Sequence, residues 1–266
     1  MTATQLESGI WRQLCALFGM ELLLLRRNMA AAVLVVVLPL VVGVLILGVD
    51  QVAVGDERAG AERIARALGM IVAIFVHHHL VTVYASRRQE LVLKRLRAGL
   101  PADATIIAGA ASTVTVIYLA QTVLLGAYAV LVLRFPVPLN PVSILLAVLL
   151  AAGLMTTIAA VVSAVTRSSE AAMMTTFPTV AFFLATPGVL APYGAFPDSF
   201  ETVMWWFSPL GPFGEVVRIG WLGAENGAGL LDSLIHTLPG LAVMSAWLVL
   251  TALAVTRFFR WEPRHK

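Results

Sequence analysis

The chain has 266 residues, of which 59% are hydrophobic and 12% charged, and its formal net charge is +3. A soluble domain carries about 25% charged residues, so a water-soluble fold is excluded. No basic patch interleaved with aromatics points to nucleic acid. A single cysteine, Cys15, excludes an internal disulfide and a thiolate zinc cluster.

Residues 5–27 place Leu6, Ile10, Leu14, Leu17, Phe18, Leu22 and Leu25 at helical spacing, ending in Arg26 and Arg27. This predicts an amphipathic helix lying on the inner leaflet. No short apolar core follows directly on a basic start, so the segment does not read as a cleavable signal peptide. Six nearly chargeless runs follow, at 29–47, 67–85, 106–133, 143–166, 171–190 and 234–255. Each approaches the roughly 20 residues that a helix needs to cross about 30 Å of hydrocarbon. With the amino terminus inside, only Arg58, Arg63, Arg66, Arg134 and Arg218 fall outside among 18 basic residues. The positive-inside rule therefore predicts a multi-pass protein of the cell inner or plasma membrane with both termini cytoplasmic.

Between the first two spans, residues 48–66 carry nearly balanced charges and read as a solvated external loop. The second span contains His77, His78 and His79 near its midpoint, where ionisable side chains are costly. Consecutive helical positions turn by about 100°, so the three rings fan around the helix and do not suit metal chelation. Two readings remain: hydrogen bonding to neighbouring spans, at Ser112, Thr113, Gln121 or Thr156, or contact with a translocation path.

Residues 87–101 alternate Arg87, Arg88, Lys94, Arg95 and Arg97 with Leu91, Val92, Leu93, Leu96 and Leu100, before Gly99 and Pro101. They predict a short cytoplasmic amphipathic helix, supported by Glu90 four residues before Lys94. Ala151, Ala152, Gly153, Ala159 and Ala160 in the fourth run permit close helix packing. The fifth run is broken by Pro178 and Pro187. Residues 196–222 beyond it are rich in aromatics, including Trp205 and Trp206, and are punctuated by Pro209 ahead of Glu215 and Arg218. That composition predicts an external re-entrant helical hairpin.

No Asp or Glu lies in any of the six runs, which disfavours ion-coupled transport. The only lysines, Lys94 and Lys266, do not follow a glycine, so a phosphate-binding P-loop is excluded. HExxH and GxSxG are also missing. The chain is thus expected to be no enzyme, to hold no cofactor or metal, and to draw any transport energy from a separate subunit.

The combination of an interfacial helix, six spans, the RRQELVLKRLRAGLP segment at 87–101 and a late SPLGPFGEVVRIGWLG block resembles the permeases of type-2 ABC exporters. Within these it looks most like the drug and antibiotic-resistance branch that includes daunorubicin-type exporters. Glu90, the LKRLR core at 93–97 and Pro101 match the family's coupling segment. The Gly-Thr often found before that core is missing, and no RYR-type motif accompanies Arg26 and Arg27.

The resemblance implies one all-α transmembrane domain of six spans with an N-terminal interfacial helix, a cytoplasmic coupling helix and an external hairpin. Arg88, Glu90, Lys94, Arg95, Leu96 and Arg97 would dock on an ABC ATP-binding subunit present in two copies, which holds ATP and Mg. A second permease chain, identical or homologous, would complete the transporter. The cargo expected is a hydrophobic or amphipathic drug, antibiotic or natural product leaving the cell. The alternatives are export of a lipid or lipid-linked glycan and histidine-dependent ion-coupled transport.

Overall fold

A computed structural model describes residues 3–48, 56–97, 102–224, 229–259 and 261, with the side chains of 3–11, Lys94 and Arg97 outside that description. The regular elements among these residues are helices: α1 (Ala3–Arg27), α2 (Met29–Gly48), α3 (Glu57–Gln89), α4 (Val92–Arg97), α5 (Asp103–Leu131), α6 (Pro141–Ser163), α7 (Ala172–Leu184), α8 (Asp198–Phe207), α9 (Phe213–Leu222) and α10 (Leu230–Phe258). Five of them, α2, α3, α5, α6 and α10, are long and apolar enough to cross a membrane.

The fifth run of the sequence behaves differently from the other five. Its helix, α7, has 13 residues, about 20 Å at 1.5 Å per residue, which is short of the hydrocarbon thickness. Pro178 lies inside it, and the chain then turns through Thr186 and Pro187 instead of continuing. Among the described residues it packs mainly on α3 and α6.

Helix α6 is the hub. Ala147, Ala151, Ala152, Ala159 and Ala160 are buried, and these small side chains let α10, α3 and α9 approach. A buried polar cluster fixes its start. Asn140 caps α6 by accepting from the Ser143 amide at 3.1 Å and donates to the Ser143 hydroxyl at 2.8 Å. That hydroxyl meets Thr237 of α10 at 2.9 Å.

Residues 57–66 are helical and belong to α3, contrary to the solvated loop expected from their charges. Asp56 caps the helix by accepting from the Ala59 amide, and Arg58 pairs with Glu62 one turn on. Ala61, Ile64 and Ala65 are buried in this segment, which packs on α9, and Gly60 lies against Phe135. Asp56, Glu57 and Arg58 are exposed whereas Arg63 is buried, a distinction that net charge balance alone conceals.

Two helices contain a wide turn, Val33–Val37 in α2 and Ile71–Val76 in α3. Such turns free backbone carbonyls. Gln121 of α5 donates its side-chain amide to the carbonyls of Val35 and Val36, at 2.8 and 3.2 Å.

Candidate coupling elbow and translocation face

The expected helix over 87–101 is divided. Helix α3 runs through Arg87, Arg88 and Gln89, the chain turns at Glu90 and Leu91, and α4 takes up Val92–Arg97. Leu91 has φ +59°, the left-handed conformation that ends a helix. Residues 98–101, including the stop at Gly99 and Pro101, lie outside the described residues.

The division separates the basic residues into two groups. Arg88 is 5% exposed and donates to the carbonyls of Ser163, at 2.6 Å, and Thr166. It thereby closes the carboxyl end of α6, where unpaired carbonyls and the helix dipole favour a cation. Of the residues expected to form the coupling segment, Arg88 directs its guanidinium to these two carbonyls. Arg87 points elsewhere and forms an ion pair with Glu21 of α1, the two residues being 6% and 8% exposed. Gln89 accepts from the Ser169 amide at 3.2 Å, so three consecutive residues bind α1, the end of α6 and the turn before α7.

The remaining elbow residues face outward or into the turn. Glu90 accepts from the Ser86 hydroxyl at 2.8 Å. Leu93 is buried, Leu96 half-buried, and Arg95 exposed. Lys94 and Arg97 belong to α4 by backbone.

Sequence reasoning missed Glu21. It sits four residues after Leu17, three after Phe18 and four before Leu25, an acid in the middle of the apolar stripe of α1. That placement was a readable signal, because a carboxylate on a buried helix face requires a cation. The same face is seated by Gly109 of α5, where a Cβ would lie 2.5 Å from a Leu17 methyl. Thr113 donates to the Phe18 carbonyl beside it.

The three histidines are divided as their helical spacing requires. His77 Nε2 lies 2.9 Å from the Thr179 hydroxyl, and His78 Nδ1 lies 3.1 Å from that of Thr176. Which atom donates in each pair depends on the ring tautomer, since each threonine hydroxyl also lies within reach of a backbone carbonyl of α7. His77 also meets Phe183 edge-on. Interhelical bonding was an expected role, but the partners lie on α7 and not at Ser112, Thr113, Gln121 or Thr156. His79 instead lines a cavity of about 460 Å³ between α1, α2, α3 and α5.

The face of α7 turned away from the histidines is bare. Met173, Met174 and Phe177 are 74%, 81% and 71% exposed.

At the other end of α3, α8 and α9 form a helical pair joined by 208–212. Trp205 donates to Glu215 at 2.6 Å, and Trp206 offers its carbonyl to the Trp247 indole of α10 at 2.9 Å. Pro209 is buried in the turn. At Gly211 a Cβ would meet the carbonyl oxygens of Met204 and Trp205 at 2.4 and 2.5 Å, so only glycine fits. Arg218, Glu215 and Trp205 line a polar cavity with Arg58 and Glu62. Tyr193 lines it too, its phenol pushed well above the usual range by burial and then by the Glu215 carboxylate.

A family model described as ABC-2 type transporter matches residues 12–222. This interval covers α1 from its middle, the elbow, the histidines and the α8–α9 pair. The chain belongs to the ABC-2 type transporter family.

The chain is accordingly a permease component of an ABC transporter, a multi-pass membrane protein whose family supplies membrane domains and not ATPases. Membership implies an ABC ATPase as partner. No curated protein matches this ABC-2 permease. The family match ends at the last residue of α9, leaving α10 to be placed by its packing on α6.

Proposed function

We propose that this ABC-2 permease exports a hydrophobic or amphipathic small molecule, a drug or natural product, powered by two ATP-binding subunits that hold ATP and Mg. The chain crosses the bilayer six times, α7 making the fifth crossing together with the turns that follow it. Both termini lie in the cytoplasm, α1 lies on the inner leaflet of the cell membrane, and the α8–α9 pair re-enters from outside. Two permease chains meet with their bare α7 faces towards a shared pathway. That pathway has apolar walls, including Met174 and Phe177, which suits an apolar cargo.

The observation that carries this reading is the elbow. Helix α4 hangs from a turn whose preceding three residues are bonded to α1, the end of α6 and the approach to α7. A push on α4 from the ATPase therefore reaches three helices without crossing loose chain. Ion coupling through the histidines fits less well, because His77 and His78 already bond to threonines of α7.

The test is co-purification with an ABC ATPase subunit, followed by ATP hydrolysis with Glu90→Ala and Arg95→Ala. Arg95→Ala should lower complex recovery or permease-dependent stimulation about tenfold, the loss of one charge-assisted contact. Full assembly and full stimulation in both variants would refute the coupling role.

A further inference from the structure

The cavity beside His79 has a composition that the export reading leaves unused. It lies between α1, α2, α3 and α5, has a volume of about 460 Å³, and has Leu25, Val35, Val83 and Ile117 among its apolar lining. A volume of this order is typical of small-ligand sites. Its walls also carry Glu21, Arg27, Asn28, His79, Arg87 and Glu90.

Accounting for each polar group leaves an excess of donors. Glu21 forms an ion pair with Arg87, its Oε1 being buried with no further hydrogen-bond partner among the described residues, and Glu90, at the rim, takes the Ser86 hydroxyl with one oxygen. Asn28 spends its carbonyl oxygen on the Ala31 amide, which leaves the side-chain N–H groups. Arg87 Nη1 is buried and has no hydrogen-bond partner among the described residues, although its side chain is only 8% exposed. Neither Arg27 nor the His79 ring has a partner among the described residues, and neutral His79 still offers one N–H. A buried cationic donor without an acceptor is costly.

We infer that this cavity binds an amphiphile whose oxyanion head, a phosphate or carboxylate, lies against Arg27, Asn28 and Arg87, with its chain directed towards Val35 and Ile117. The inference rests on the cytoplasmic placement of α1 and the elbow proposed above, which sets the cavity in the inner leaflet. Basic residues there attract anionic headgroups. Arg87 and Glu21 neutralise each other as a pair, so the net attraction comes from Arg27, with Asn28 and Arg87 Nη1 adding hydrogen-bond donors, while Glu90 stands exposed at the rim. The occupant has two sources with the same chemistry: a resident bilayer phospholipid or the exported molecule itself.

The experiment uses the full permease with its ATPase in vesicles containing phosphatidylglycerol that carries a photoreactive diazirine on its acyl chain. Labelled peptides are then mapped. Labelling should fall on the segments around Val35, Val83 and Ile117. It should drop about tenfold in Arg27→Gln, one charge-assisted contact, and drop likewise in Ala31→Phe, which fills the cavity. The Glu21→Gln/Arg87→Gln double variant keeps the pair neutral, so loss of labelling there is not a folding effect. A diacylglycerol with the same diazirine but no phosphate should label weakly.

Labelling that falls during ATP turnover identifies the exported molecule as the source, and labelling indifferent to turnover identifies a resident lipid. Equal labelling by diacylglycerol, or labelling unchanged in all three variants, would overturn the inference. Failure of the placement itself reads out separately. An Arg95→Cys in a Cys15→Ser background would then react with an impermeant thiol reagent from outside while the labelling pattern persisted.

Discussion

The two ends of α3 are attached by different physics. Near its amino terminus the helix packs on α9 along a stretch in which Ala61, Ile64 and Ala65 are buried, an attachment spread over many weak contacts. At its carboxyl terminus, Arg87, Arg88 and Gln89 leave in three directions and make a few directional polar bonds. Close packing is forgiving of any one contact but intolerant of added volume. Polar anchoring concentrates the attachment in single side chains whose loss leaves partners buried and unpaired.

This contrast is open to attack by substitution. The largest effect belongs to Arg87→Ala, which strands the Glu21 carboxylate and should lower stability by about 3–5 kcal/mol, measured as the unfolding midpoint of the detergent-solubilised permease. Adding Glu21→Gln should recover much of that loss. Arg88→Ala follows, at about 3 kcal/mol, because two carbonyls at the end of α6 lose a charged donor. In the close-packed region, Gly211→Ala should cost about 1–3 kcal/mol by forcing the α8–α9 turn open, seen in the same melt. A null result there would mean that the turn is looser than its carbonyl contacts imply. The smallest effect is expected at the histidines. A double-mutant cycle of His77→Ala with Thr179→Val should give a coupling of about 0.6 kcal/mol, the average for an interhelical bond in a membrane, and the cycle of His79→Ala with Thr179→Val should give less. The reverse order in a thermal-shift comparison would contradict their assignment.

Much of this arrangement was readable from residue order. The apolar runs locate α2, α3, α5, α6 and α10, since length and the scarcity of charge are local properties that bilayer thickness converts directly into helices. The brevity of α7 was announced by Pro178 and Pro187. Three features were hidden because each depends on a partner distant in the chain. The burial of residues 57–66 depends on α9. The histidine partners lie about 100 residues on, at Thr176 and Thr179. Arg88 reads as one more surface cation until the end of α6 arrives beside it. Glu21 is the intermediate case: its place in an apolar stripe demanded a cation, and which cation it finds is a matter of tertiary structure.

The wide turn at Ile71–Val76 stands between the two ends of α3 and sets their rotational phase. An α-helix advances by about 100° per residue, so one residue more or fewer in that interval would swing Arg87, Arg88 and Gln89 around the axis by that angle while α9 held the other end. Arg88 would then turn away from Ser163, and Arg87 away from Glu21. The irregular turn is thus the key that holds the two ends of α3 in one angular register.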